Sequence, residues 1–367
     1  MGTSCAVSAV VLVLLVTSLF GATLAPGGTA AETVLATPNG KIVTGDTTGL
    51  TVGQVAPPLT VKAYPVPETR ADLLPDPPPG NGSTLLWGYE AGAVDAKILT
   101  YNIATAATPH TGQDCVPPGS LNGRGLAMDP LDGYLWYTFV TFPLFEGDGY
   151  IHKTNPPNTS VPCTLVTSIP FGDGPGGTIQ DDIGALDIDQ GSKHIWAAGY
   201  KPVCVGGVGP PCAGGVLRSY LYLVNRNNGK IIHSCWIPFR SVGTGVGNDT
   251  LAYARLKGLP GSGEYLLTDA GEDVTFPDSL AVIDTADCHS GAEVTPVAEF
   301  LKSVGMTGID FEWPGLLATD GLNLFNLGGP PFFSPTPIGS TETFLEGIAL
   351  CGFRAKLGGD GNDHCPY

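Results

Sequence analysis

Residues 125–138 read GLAMDPLDGYLWYT, and residues 184–199 read GALDIDQGSKHIWAAG. Each opens on a Gly, continues with apolar and polar residues in alternation, breaks at a polar turn, and resumes as a Trp-bearing apolar run. Alternation with a period of two marks a strand, and Asp, Gly and Ser between two such runs mark a hairpin. The unit recurs in both directions. Its opening strand returns as GIDFEW at Gly308–Trp313 and GIALCGF at Gly347–Phe353, with a weaker copy starting at Gly258. Its second strand returns as LLWGYE from Leu85, EYLLTDA from Glu264 and GLLATDG from Gly315. A third strand reads KILTYNIAT from Lys97, GYIHKTN from Gly149, SYLYLVNRNNG from Ser219, DSLAVIDTA from Asp278 and LNLFNL from Leu322. A fourth is visible as CTLVTSIPF from Cys163, KIIHSCWIPF from Lys230 and EVTPVAEF from Glu293.

Four short strands per unit, at spacings of about 40 to 75 residues, suit the blades of a β-propeller. No long run carries a 3.6-residue apolar period, so few helices are expected. The fold class is therefore all-β: a propeller of four-stranded antiparallel blades, five of them legible, with six or seven allowed. The first unit, at Leu85, lacks its opening strand, and the last opening strand, at Gly347, lacks a following unit. The C-terminal strand is expected to complete the first blade, which leaves no sheet edge bare at the seam. A sandwich or two stacked barrels is the alternative.

The first 31 residues carry no charged side chain and hold an apolar stretch, Val7 to Ala25, followed by small residues to Ala31. That is the pattern of a secretory signal peptide, residues 1–31, with an uncleaved membrane anchor as the rival reading. Residues 32–82 form a Pro/Gly-rich leader with one or two strands, around Lys41–Val43 and Leu59–Ala63. The propeller domain is expected over 83–357, and residues 358–367 read as a C-terminal tail. No later segment is apolar enough to cross a bilayer once the signal is removed.

The net charge is −17, with only 17 Lys and Arg residues, scattered along the chain. A nucleic-acid partner needs a basic stripe, and none exists. Of nine Cys residues, Cys5 leaves with the signal, and eight remain. An even number in an exported chain reads as disulfides. Spacing favours Cys204 with Cys212, across a Gly/Pro loop, and Cys351 with Cys365, which would tie down the tail. No CxxC or HxxxH spacing supports zinc.

GLAMDPLDGYLWYT and DIGALDIDQGSKHIWAAG resemble the repeat of secreted six- or seven-bladed propellers. These include the NHL-repeat, streptogramin-lyase-like and gluconolactonase-like (SMP-30-like) groups. The resemblance covers about 83–355 at the level of the repeat, and it implies a fold rather than an activity. It also implies that the residues just before each inner-strand Gly approach the mouth of a central channel. In this chain those are Glu346, Arg124, Asp182 with Asp181, Lys257 and Thr307. They are the ligand-binding candidates, and they equally suit salt bridges that close the pore. Glu346 and Asp182 are the metal candidates, since hard carboxylate oxygens suit Ca²⁺ or another divalent cation. Gluconolactonase-like enzymes hold a divalent metal with a Glu, an Asn and an Asp, and Glu346 matches the Glu by its place before GIAL. No Asn or Asp is placed in the other two positions.

Other motifs are weaker. DIDQG at Asp187 reads as the turn between first and second strands rather than a calcium loop, since the loop's distal Glu is absent. Asp269, Glu272 and Asp273 cluster after a strand, and GGDGND at Gly358–Asp363 is a single copy of a motif that works by stacking. His110, His152, His194, His233, His289 and His364 are spread singly over strands and turns and read as structural or surface residues. Trp87, Trp136 and Trp196 recur in the second strand and are expected to pack between blades. An exposed sugar platform is the alternative. Asn81, Asn158 and Asn248 each begin an N-x-S/T sequon.

The reading that results is a secreted, monomeric propeller acting as a binding or scaffold module for a small molecule, glycan or protein. The alternative is a metal-dependent hydrolase or lyase of the lactonase-like kind, with its site at the channel mouth. Pairing of Glu346 with Arg124 and of Asp182 with Lys257 would favour the first. Three or more ligands around one point would favour the second.

Overall fold

The computed structural model describes residues 85–91, 95–103, 110–129, 131–141, 146–157, 162–172, 182–189, 191–203, 216–238, 250–256, 259–269, 279–289, 291–301, 306–312, 315–328 and 335–350. The leader, the tail and the expected Cys204–Cys212 and Cys351–Cys365 pairs lie outside these residues. So do Asn81, Asn158, Asn248, Glu272 and Asp273.

The chain makes β1 (Leu85–Glu90), β2 (Ile98–Asn102) and β3 (His110–Cys115), then β4 (Asn122–Met128), β5 (Leu135–Thr141), β6 (Glu146–Gly147), β7 (Tyr150–Thr154) and β8 (Leu165–Pro170). It continues as β9 (Asp182–Ile188), β10 (Ile195–Val203), β11 (Val216–Val224) and β12 (Ile231–Pro238). Next come β13 (Leu251–Arg255), β14 (Glu264–Asp269), β15 (Ser279–Asp284), β16 (Ala292–Glu293) and β17 (Ala298–Leu301). The last are β18 (Gly308–Glu312), β19 (Gly315–Thr319), β20 (Asn323–Gly328), β21 (Thr336–Ser340) and β22 (Leu345–Leu350). The helical content among described residues is one 3-10 turn, Thr285–Asp287.

These strands form five antiparallel blades. From axis to rim they run β22-β1-β2-β3, β4-β5-β7-β8, β9-β10-β11-β12, β13-β14-β15-β17 and β18-β19-β20-β21. The C-terminal strand pairs antiparallel with β1, opposing Ala349 to Trp87, and so completes the first blade as the sequence predicts. The five innermost strands abut in the cyclic order β22, β4, β9, β13, β18 and back to β22. The array is thus a ring.

An inner strand is sandwiched between the two neighbouring blades, so both of its faces are buried, whereas outermost strands such as β8 stay largely exposed. β4 is buried at all seven positions, although its sequence mixes Asn, Gly and Arg with apolar residues. Successive side chains on one strand feed different interfaces: Trp136 packs towards the third blade, while Tyr137 packs towards the first. Five apolar clusters result, one in each gap between blades. Trp87, Trp136 and Trp196 each lie in such a gap at 1% exposure. They are core, and the sugar-platform alternative is excluded for them.

Covalent and backbone staples reinforce two gaps. Cys115 at the rim of the first blade is bonded to Cys163 of the second, and Cys235 of the third to Cys288 of the fourth. Beside the latter, β16 leaves the fourth blade and pairs in parallel with β12 of the third. The predicted strand EVTPVAEF is therefore split, because its first residues serve a neighbour and only Ala298–Leu301 serve their own blade. At the seam, Thr343 Oγ1 donates to Glu90 Oε1 at 2.6 Å, and His110 Nδ1 meets Glu342 Oε2 at 2.9 Å.

One strand lies elsewhere than expected. The weak copy starting at Gly258 is expected to open the fourth blade. That role belongs to β13, Leu251–Arg255, and the chain turns between Leu259 and Gly263.

Candidate functional site

Three consecutive inner strands carry a β-bulge at the same height. The register slips between Leu345 and Gly347 in β22, between Gly123 and Leu126 in β4, and between Ile183 and Ala185 in β9. A bulge re-aims the side chain of the extra residue. Here it brings Glu346 and Arg124 together as an ion pair, Arg124 Nη1 to Glu346 Oε2, with side chains only 10% and 15% exposed.

The glycines beside these residues are required by close approach. A Cβ on Gly347 would collide with the Arg124 carbonyl oxygen, and one on Gly308 would sit 3.1 Å from the Glu346 carbonyl oxygen. A Cβ on Gly125 would lie 2.8 Å from Leu186 Cγ and 2.9 Å from the Ala185 carbonyl carbon. At these three places an inner strand presses its backbone against the next, and the Gly that heads the repeat is a packing device.

Thr307 joins this layer through backbone: its hydroxyl donates to the Leu345 carbonyl at 2.7 Å, tying the start of β18 to β22. Asp182 begins β9, opposite Tyr200. Its side chain, together with Asp181 and Lys257, lies outside the described residues. Lys257 also loses its premise, because it follows β13 instead of preceding it. Asp187 accepts from the Tyr253 amide, and Asp310 accepts from the Leu350 amide at 2.6 Å. These matching bonds align Thr250 with Gly347, so the residue that precedes the inner strand in the fourth blade is Asp249, also outside the described residues. Among the described residues no three His, Cys, Asp or Glu side chains converge as a metal site.

Both aspartates of DIDQG are expected in the turn between first and second strands. Asp187 instead lies within β9, 4% exposed, and spends one oxygen on the neighbouring blade. Asp189 does form the turn, accepting from the Ser192 amide at 2.6 Å and hydroxyl at 3.0 Å. It also accepts from Trp196 Nε1 at 3.3 Å. The same Asp-to-Trp bond, seven residues apart, recurs as Trp136 Nε1 to Asp129 Oδ2 at 3.0 Å.

Asp129 gathers two cationic side chains, Lys153 and Arg226. It is fully buried, and its oxygens accept from Lys153 Nζ at 2.7 Å and the Leu131 amide at 3.0 Å. Arg226, from the turn after β11, adds a two-pronged contact from the third blade. Lys153 also reaches Asp132 at 2.5 Å and lies 4.9 Å from the centre of the Trp136 ring. Burial alone would raise the Asp129 pKa, but Lys153 and Arg226 outweigh it and hold the carboxyl below the ordinary range. Sequence reasoning missed this cluster, since Arg226 lies 97 residues from Asp129 and no spacing rule links them.

No family model matches the sequence, and no curated protein matches it. No family match therefore supports assigning the chain to the NHL-repeat, streptogramin-lyase-like or gluconolactonase-like groups. Among solved structures the chain is similar to the Dos1 propeller at 10% identity and TM-score 0.32, over 70% of this chain and 56% of that one. It is also similar to a eukaryotic initiation factor at 11% identity and TM-score 0.19, over 72% of this chain and 60% of that one. The match spans less than two thirds of either. The strand order and the cycle of inner strands carry the assignment to a five-bladed propeller.

Proposed function

We propose that this protein is an exported, monomeric five-bladed propeller serving as a binding or scaffold module. Its partner would be a small molecule, a glycan or a protein. The observation that carries this reading is the Arg124–Glu346 pair on adjacent inner strands. A guanidinium on that carboxylate neutralises it and would repel a divalent cation, so the best metal candidate is already used within the ring. Export is supported by the charge-free first 31 residues and by inter-blade disulfides, which persist in oxidising compartments. No helix among the described residues is long and apolar enough to cross a membrane.

Metal analysis and thermal unfolding of the mature protein test the reading. We expect no stoichiometric divalent ion and a melting temperature unmoved by millimolar Ca²⁺ or Mg²⁺. A metal-dependent lactonase-like enzyme would gain about 2.7 kcal/mol at a hundredfold excess over its Kd. A rise of that size would overturn the scaffold reading.

A further inference from the structure

Asp148, His152 and Ser168 stand away from the axis, on the outer half of the second blade. His152 lies on β7 directly opposite Ser168 on β8. Asp148 lies in the connection that enters β7, where its Oδ1 accepts from the Tyr150 amide at 3.0 Å. Its Oδ2 is 2.8 Å from His152 Nε2, and His152 Nδ1 is 2.8 Å from Ser168 Oγ. A carboxylate only accepts, so Nε2 carries the proton. The neutral ring then offers the Nδ1 lone pair, and the Ser168 hydroxyl donates to it.

The imidazole is held by its surroundings. It stacks on Phe139 at 5.1 Å and 15°, and the Tyr137 and Tyr150 rings stand at 5.2 and 6.1 Å. Ser168 is half-buried on an outermost strand, and its upstream neighbours Leu165 and Val166 are 48% and 47% exposed. An edge strand leaves alternate backbone N–H groups outside its ladder, free to donate to an oxyanion. Hydroxyl, base and orienting carboxylate in series form the arrangement that activates a serine.

We propose that Ser168 is an activated nucleophile that takes the acyl group of small carboxylic esters. Ser168 Oγ attacks the carbonyl carbon as its proton passes to His152 Nδ1. Collapse of the adduct breaks the bond to the alcohol oxygen, which leaves with that proton, and the acyl group stays on Oγ. Water, giving a proton to Nδ1, then attacks the acyl carbon and releases the acid, and the proton returns to Oγ. His152 is the base, and Asp148 is a positioning residue that fixes the tautomer. This activity is independent of the axial pair.

The test is labelling of the intact folded protein by a fluorophosphonate probe, with p-nitrophenyl acetate turnover alongside. Stoichiometric labelling mapped to Ser168, and lost in Ser168→Ala, is expected. His152→Gln should slow labelling about a hundredfold or more. Because His152 is packed among aromatic rings, the partly exposed Asp148 supplies a second variant. Asp148→Asn should slow labelling while leaving the circular dichroism unchanged, and Asp148→Glu should restore part of the rate. No labelling of the wild-type protein, labelling that survives Ser168→Ala, or rates indifferent to Asp148→Asn would each overturn the proposal.

Discussion

Arg226 of the third blade meets both carboxylate oxygens of Asp129 in the second, at 3.0 and 2.6 Å. The contact is buried on the Asp129 side and shared with Lys153, so removing the carboxylate strands two cations together. Asp129→Ala should therefore cost about 3–5 kcal/mol, the range for breaking a buried ion pair from one side. Urea unfolding followed by tryptophan fluorescence measures it. The pH dependence has a definite sign. A carboxyl held below its unfolded value contributes its full stability above the unfolded pKa and loses it as pH falls through the folded one. Acid should thus weaken the wild-type protein more than Asp129→Asn, and a comparison of urea midpoints at neutral and acidic pH would show it.

Gly347→Ala tests the close approach at the axis. The added methyl group meets the Arg124 carbonyl oxygen, which belongs to backbone and cannot swing aside. We expect a loss of about 3 kcal/mol, at the upper end of overpacking. By contrast, Gly291→Ala meets no atom within 4 Å, though its φ of +72° still strains an L-residue. It should cost about 1 kcal/mol, the scale of a left-handed non-Gly residue.

The axial ion pair can be read by a double-mutant cycle on Arg124→Met and Glu346→Gln. Both side chains are largely buried and in contact, so a coupling of about 1–3 kcal/mol is expected in chemical unfolding. Additive effects would show that the pair holds nothing together.

The two disulfides among the described residues close loops of similar length, with sequence separations of 48 and 53. Loop-closure entropy gives each about 4 kcal/mol. Peptide mapping under non-reducing conditions should recover Cys115 with Cys163 and Cys235 with Cys288. Reduction should then lower the melting temperature by several degrees, and Cys235→Ser with Cys288→Ser should reproduce part of that loss.

The export reading is checked by the N-terminus of protein recovered from the medium. Sequencing should begin at Ala31 or Glu32. Intact Met1 on a membrane-bound product would favour the anchor instead.

Much of this architecture is legible because a Gly marks the inner strand wherever its backbone touches the next blade, as at Gly125, Gly308 and Gly347. The cue vanishes in the fourth blade, where Thr250 holds that place and LAYAR follows without a Gly. The Gly of the following turn then draws the eye to 258. Arg124 and Glu346 are findable as residues before a Gly, but their meeting depends on bulges, which insert a residue without altering composition. The disulfides among the described residues join neighbouring blades. Short loops suggest local pairs, whereas Cys115 reaches Cys163 across a gap that only the assembled ring defines. His152 looks solitary in sequence because its partners come from a strand pairing, 16 residues ahead, and a turn, four residues behind.

The seam in the first blade has a consequence for timing. Among the described strands β1 is made first and its inner partner β22 last. Until β22 arrives, the first blade shows an open edge and Trp87 lacks the strand that backs it. Completion of the first blade is therefore withheld until β22 has been made, and a product terminated before it cannot close the ring. Such a product keeps an unpaired strand that proteases and chaperones recognise. The position of the seam thus acts as a check that synthesis has reached β22.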